Sequence, residues 1–112
     1  DFVVRVNDVD ENGRSIKLAD GVLSARYRSG FDRYKFLEAG EIACLKIRTT
    51  KLSNCFRKGH RIRVTVTSGA ENFIFPNSNT REGYNSTVTV VAENTLHPGG
   101  IHASKLVVRV EE

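Results

Sequence analysis

Apolar and polar residues alternate with a period of two along several stretches of the chain, the pattern of strands with one covered face. Residues 61–67 show it most cleanly. Ile62, Val64 and Val66 point one way, and Arg61, Arg63, Thr65 and Thr67 the other. Residues 2–7 divide Phe2, Val4 and Val6 from Val3, Arg5 and Asn7. Residues 41–48 carry Ala43, Leu45 and Ile47 on one side. Residues 86–92 carry Val88, Val90 and Ala92, and residues 105–111 carry Leu106, Val108 and Val110. The expected core joins Ile62, Val64 and Val66 to Val88, Val90, Val108 and Val110. A one-residue slip would bury Arg61 and Arg63 instead.

Between these stretches lie reversals. Residues 8–14 read as a turn, since Asp10-Glu11-Asn12-Gly13 supplies the residues of a tight reversal. Residues 15–18 form a short extended piece that Asp20-Gly21 is expected to break. Residues 29–40 read as an irregular loop, unusually rich in apolar side chains: Phe31, Tyr34, Phe36 and Leu37. Residues 49–59 connect strands, with Phe56 as the anchor. Phe73 to Phe75 is a short apolar piece stopped by Pro76, and residues 77–85 form a polar loop. His97-Pro98-Gly99-Gly100 breaks the chain before its last stretch.

Composition sharpens this to an all-β domain. Val, Ile and Thr supply 27 of 112 residues, Leu and Ala only 7 each, and Met none. β-Branched side chains fit a pleated, half-buried surface, whereas Ala, Leu and Met favour helices. The length suits a single domain over residues 1–112. Short strands with frequent turns point to a β-sandwich or jelly roll. Nothing approaches the ~20-residue apolar run of a membrane helix, and no stretch reads as a targeting segment. The chain opens at Asp1 directly into Phe2-Val3-Val4, as expected of a cut within a longer polypeptide.

The net charge of +4 arises from 17 basic and 13 acidic residues of interleaved sign. The clusters Arg26, Arg28, Arg33, Lys35 and Arg57, Lys58, His60, Arg61, Arg63 therefore read as solvated or ion-paired strand positions. A nucleic-acid binder needs a basic stripe with stacking aromatics beside it, so no nucleic-acid partner is expected, and no membrane partner. Cys44 and Cys55 stand alone without metal or redox spacing. Reduced thiols of a cytoplasmic protein are the favoured reading; a disulfide between them, and secretion, stay open. Asn85-Ser86-Thr87 is a glycosylation acceptor only in a secreted eukaryotic chain.

No catalytic constellation is legible. A Gly-x-Ser-x-Gly elbow, a His-Glu-x-x-His pair and a Gly-rich phosphate loop are all absent. His97 and His102 lack a third metal ligand. Asp8, Asp10 and Asn12 have half the spacing of a calcium loop, but the Gly and distal Glu are misplaced. His60, just ahead of a strand, reads as a hydrogen-bonding side chain at a strand entrance. No catalytic, cofactor or metal residue is nominated.

Several blocks carry a resemblance. They are Asp1-Phe2, Asp8-Val9, Gly13-Arg14-Ser15, Leu18, Asp20-Gly21, Leu23 and Ala25-Arg26-Tyr27-Arg28. Further on come Leu37, Gly40-Glu41, Phe56, Lys58-Gly59-His60-Arg61-Ile62-Arg63, Ser68, Phe75-Pro76, Asn79-Thr80, His97, Ser104 and Leu106-Val107. The chain resembles, over nearly its whole length, the C-terminal domain of the X-prolyl dipeptidyl-peptidase and cocaine-esterase family of serine hydrolases. The resemblance implies a jelly-roll sandwich similar to galactose-binding-like domains, lacking one or two strands that precede the Asp-Phe motif. It also implies an accessory role beside an α/β-hydrolase domain of the same polypeptide, whose Ser-Asp-His triad matches no position here. Such a domain packs on the hydrolase core and shapes the substrate entrance.

Phe75-Pro76 passes almost directly to Asn77-Ser78-Asn79-Thr80, a shorter run than the family's usual one. The aromatic-rich loops of a noncatalytic sandwich suit docking on a partner domain. Phe31, Phe36, Phe73, Phe75, Asn77 and Asn79 are the expected interdomain contacts. The sheet edge left open by the missing strand is expected to pair with a second copy of the chain. A free-standing carbohydrate-binding module is the competing reading. It would want an exposed aromatic platform, yet Trp is absent and the three Tyr are scattered.

Overall fold

The computed structural model describes residues 1–111. Its regular structure is all-β. Three antiparallel strands, β1 (Phe2–Val9), β2 (Ser15–Leu23) and β3 (Arg61–Thr67), form one sheet in the order β2-β1-β3. Three single 3₁₀ turns, at Ala25–Tyr27, Gly83–Asn85 and Gly100–His102, are the only helical pieces among the described residues. The sheet fits the all-β expectation.

The β1–β2 hairpin forms where the turn residues place it. Asp10 N–H donates to Arg14 O, and Gly13 N–H to Asp10 O. The Asp10 carboxylate accepts from the backbone N–H groups of Asn12 and Arg14. Gly13 sits at φ +84°, a left-handed conformation that a glycine adopts without a Cβ penalty. Asp20-Gly21, however, does not break β2, which runs on to Leu23. Val6 faces Ala19 and Asn7 faces Lys17, so Leu18 is an extra residue absorbed as a bulge. Gly21 serves close approach instead. A Cβ there would lie 2.5 Å from the Arg48 carbonyl oxygen and 3.0 Å from Ile47 Cγ2.

Register assigns the two faces, because directly opposed residues share one. Val4, Val6 and Asp8 pair with Val66, Val64 and Ile62; Val3, Arg5 and Asn7 pair with Thr67, Thr65 and Arg63. The buried apolar side chains are Val3, Val6, Val9 and Ala19. Three of them belong to the central strand, the one strand with a neighbour on both sides.

The expected core is therefore corrected. Ile62, Val64, Val88, Val90, Val108 and Val110 are all exposed, and Val66 is half-buried. β3 is an edge strand, and residues 86–92 and 105–111 form no ladder that would cover it. Residues 41–48 likewise form no ladder. Their alternation survives all the same: Ala43, Leu45 and Ile47 are half-buried between exposed neighbours. Thr50 N–H bonds Asp20 O, tying this segment to β2. The radius of gyration, 16.1 Å, exceeds the roughly 13 Å of a compact domain of this length. The second layer of a sandwich is not closed.

β1, the first strand, is paired on both sides, so the free edges belong to β2 and β3.

Candidate docking surface

The chain leaves β2 at Leu23 and turns through Ala25–Tyr27, which puts an arginine on either side of Tyr27. The two arginines do different things. Arg28 turns inward, its side chain only 6% exposed. It donates to the carbonyls of Ala25 (3.0 Å), Lys35 and Phe36 (3.2 Å), and meets Glu41 at 3.3 Å. The 29–40 loop is thus wrapped around one guanidinium, a planar five-donor group suited to such a set of acceptors. Glu41 accepts the backbone N–H of Glu38. That bond, with the charges of Arg28 and Lys35, outweighs desolvation and holds its carboxyl below the usual range.

Arg26 reaches the other way, to residues more than fifty positions ahead. It donates to Thr80 O (3.1 Å) and Arg81 O (3.2 Å). Its guanidinium carbon also lies 5.8 Å from the Tyr34 ring centre and 5.4 Å from that of Phe36. Arg81 covers Phe36 from 4.8 Å. Tyr27 packs on Phe31 and Tyr34, both at 5.3 Å between ring centres. A hydrogen bond with Tyr34 that favours the protonated phenol, with desolvation, raises the Tyr27 pKa. Aromatic side chains in tilted and edge-on pairs gain roughly 0.5–1.5 kcal/mol beyond area burial.

The 77–85 loop is built on Ser78, the one buried polar residue among the described residues. Its hydroxyl donates to Gly83 O at 2.6 Å and shares a 2.8 Å hydrogen bond with Thr80 Oγ1. Asn77 Nδ2 and Tyr84 O–H both donate to the Asp1 carboxylate, at 2.9 and 2.6 Å. Asn79, at φ +59°, donates its side-chain amide to Val90 O.

Of the expected contact residues, Phe31 and Phe75 are 86% and 84% exposed, and Phe73 is exposed as well. Phe36 is half-buried beneath Arg26 and Arg81. Asn77 and Asn79 spend their side chains on bonds within the domain, which leaves the rings as the free part of the set. Sequence reading missed the roles of Arg26 and Arg28, whose charges look like part of an ordinary solvated cluster, and did not single out Arg81. The available signal was an arginine on each side of Tyr27, ahead of an aromatic-rich loop.

Elsewhere the polar groups are structural. His60 Nδ1 and Asp8 Oδ1 are 2.8 Å apart, and Asn54 donates to Asp8 Oδ2. Desolvation pushes the Asp8 carboxyl up, but the His60 and Asn54 bonds and the charges of His60 and Arg57 prevail and lower it. This clamp joins the entrance of β3 to the end of β1. Arg5 and Lys17 bracket Asp20 at 2.9 Å each and depress its pKa. The rings of His97 and His102 lie 6.0 Å apart. Among the described residues no group of three His, Cys, Asp or Glu converges as a metal site. Cys44 and Cys55 are exposed and unpaired. No helix among the described residues is long and apolar enough to cross a membrane.

Residues 1–107 match the X-Pro dipeptidyl-peptidase C-terminal non-catalytic domain. The chain belongs to that family. It is also 37% identical, over 98% of its length, to the cocaine esterase of Rhodococcus sp. (strain MB1 Bresler), of which it spans 20%. No solved structure matches the chain. Membership makes it the non-catalytic C-terminal domain of a hydrolase family. The loops just described are therefore candidates for contact.

Proposed function

We propose that this single domain, residues 1–112, is the accessory domain of a larger α/β-hydrolase-fold serine hydrolase of X-Pro dipeptidyl-peptidase or acyl-esterase type. It packs on the catalytic domain and shapes access to the substrate site. The observation that carries this reading is a family non-catalytic domain with exposed rings, Phe31 in the 29–40 loop and Phe73 and Phe75 just ahead of the 77–85 loop. Large apolar groups held in water are the usual mark of a contact surface. Phe31, Phe36, Phe73 and Phe75 meet the partner domain. Asn77 and Asn79 support that face by fixing the loop behind it. In the assembled enzyme the alternating segments 41–48, 86–92 and 105–111 close a jelly-roll sandwich over the exposed face of β3. The exposed, unpaired thiols suit a cytoplasmic location.

Activity separates the accessory role from an enzymatic one. The isolated chain is expected to hydrolyse neither a prolyl dipeptide anilide nor an aryl ester above background. Turnover that survives repurification and vanishes in His60→Ala would overturn the reading. The sequence preceding Asp1 in the gene product supplies a second check, since a Gly-x-Ser-x-Gly elbow is expected there. Free edges at β2 and β3 also favour self-association of the isolated domain. Sedimentation is expected to show a concentration-dependent dimer, and a strict monomer at high concentration overturns that part.

A further inference from the structure

We infer that Arg26 fastens two sequence-distant loops, 27–36 and 77–85, into one cationic–aromatic surface, and that this surface takes an apolar, carboxylate-bearing face of the catalytic domain; the partner rests on the docking reading above, the clasp does not. Four observations meet at the Arg26 side chain. It donates to the carbonyls of Thr80 and Arg81. It lies near the rings of Tyr34 and Phe36. Its own carbonyl accepts the Lys35 N–H at 2.9 Å, closing the aromatic loop behind it. Its guanidinium also occupies the space that a side chain at residue 83 would need. A Cβ on Gly83 would stand 2.9 Å from Arg26 Nη2 and 3.1 Å from Nη1, and Gly83 is buried at φ +62°. The glycine thus serves the arginine twice, by its left-handed backbone and by its missing side chain.

The partner's chemistry follows from what the clasp leaves outside. Phe31 and Tyr34 are exposed, and Arg81 lies over Phe36 without an ion-pair partner among the described residues. Lys35 has none either, whereas Arg28 is internally paired with Glu41. An apolar floor edged by two cations without a direct ion pair is complementary to an apolar face edged by carboxylates.

Hydrogen–deuterium exchange on the chain itself tests the clasp. In Arg26→Gln, amides of residues 80–85 are expected to exchange at least tenfold faster, as are those near Lys35, while β1–β2 amides are unchanged. Gly83→Ala is expected to give the same pattern by displacing the guanidinium. It guards against a purely local effect of the arginine substitution. Loosening of one loop without the other, or unchanged exchange in both variants, overturns the clasp.

Binding of the chain to the separately produced remainder of its polypeptide tests the partner. Arg81→Glu is expected to weaken it at least tenfold. Arg14→Glu, in the hairpin turn at the opposite end of β1 and β2, is expected to change it less than twofold. Equal weakening by both, or by neither, overturns the assigned surface while the docking reading survives. No binding by the unsubstituted chain overturns the docking reading and the partner together, and exchange judges the clasp separately.

Discussion

β1 and the segment 105–111 carry nearly the same pattern, Phe-Val-Val-Arg-Val against Leu-Val-Val-Arg-Val, yet they have opposite fates. Val3 and Val6 are 3% and 4% exposed, whereas their counterparts Val107 and Val110 are 82% and 81% exposed. The side chains are the same; the neighbours differ. β1 is flanked by β2 and β3, so its valines are covered by residues on both sides. Residues 105–111 join no ladder. Period-two alternation marks a segment able to be a strand. Burial needs a partner, which lies elsewhere in the chain or outside it.

Core truncation gives the largest expected effect. Val6→Ala removes two methyl groups from a covered site and is expected to cost about 2–3 kcal/mol through lost burial and the cavity left behind. The urea midpoint should fall with the m-value unchanged. Val64→Ala, which alternation alone places in the core at ~1–3 kcal/mol, is expected to cost clearly less. Equal costs at the two sites would erase the distinction between central and edge strand.

Gly21→Ala comes next. Its Cβ would stand 2.5 Å from the Arg48 carbonyl, and backbone yields less readily than a flexible side chain. Overpacking of this kind costs about 1–3 kcal/mol. The measurement also probes the 41–50 segment, which has no ladder but lies close against β2. A neutral Gly21→Ala would mean that this segment does not hold its place in solution.

How much was legible follows from the same distinction. The hairpin could be read because its determinants are local: Asp10, Asn12 and Gly13 specify the turn whatever surrounds them. Strand identity for β1 and β3 was legible from alternation. The order β2-β1-β3 was not, since it depends on a pairing across more than fifty residues. The misreading of Asp20-Gly21 is instructive. A glycine after an aspartate has the form of a turn, and only the approach of Arg48 shows why β2 needs a residue without a Cβ. At the candidate site the exposed rings were legible as apolar groups in a loop. Arg26 was not, because its partners Thr80 and Arg81 are carbonyls, which every residue possesses.

Acid is expected to act on both parts of the molecule. The carboxyls of Asp8, Asp20, Glu41 and Glu82 all lie below their usual values in the folded chain. Folded groups with depressed pKa values bind fewer protons than unfolded ones, so their stabilisation is present above the ordinary carboxylate range and lost as pH falls through the folded values. The thermal midpoint should stay level with respect to these groups above about pH 5 and decline below about pH 4. Asp8→Asn should flatten part of that decline by removing one depressed carboxyl from the β1–β3 clamp. A decline of unchanged steepness would argue that the clamp contributes nothing to the titration.

The smallest expected effect is the most telling for the comparison. Val108→Thr replaces one methyl by a hydroxyl on a segment exposed to water. Substitutions away from packed or hydrogen-bonded features usually stay within about 0.5 kcal/mol. Thr also keeps the β-branched shape, so any intrinsic strand preference is nearly unchanged. The isolated chain should therefore melt within about 3 °C of the parent. The same substitution in the longer polypeptide has a different expectation. If 105–111 closes the sandwich there, the hydroxyl enters a covered face without a partner, and that costs about 1–3 kcal/mol. A large loss already in the isolated chain would mean that the segment finds its ladder unaided. An equally small loss in both would mean that the segment stays in water even in the longer polypeptide, and any second layer would have to come from other residues.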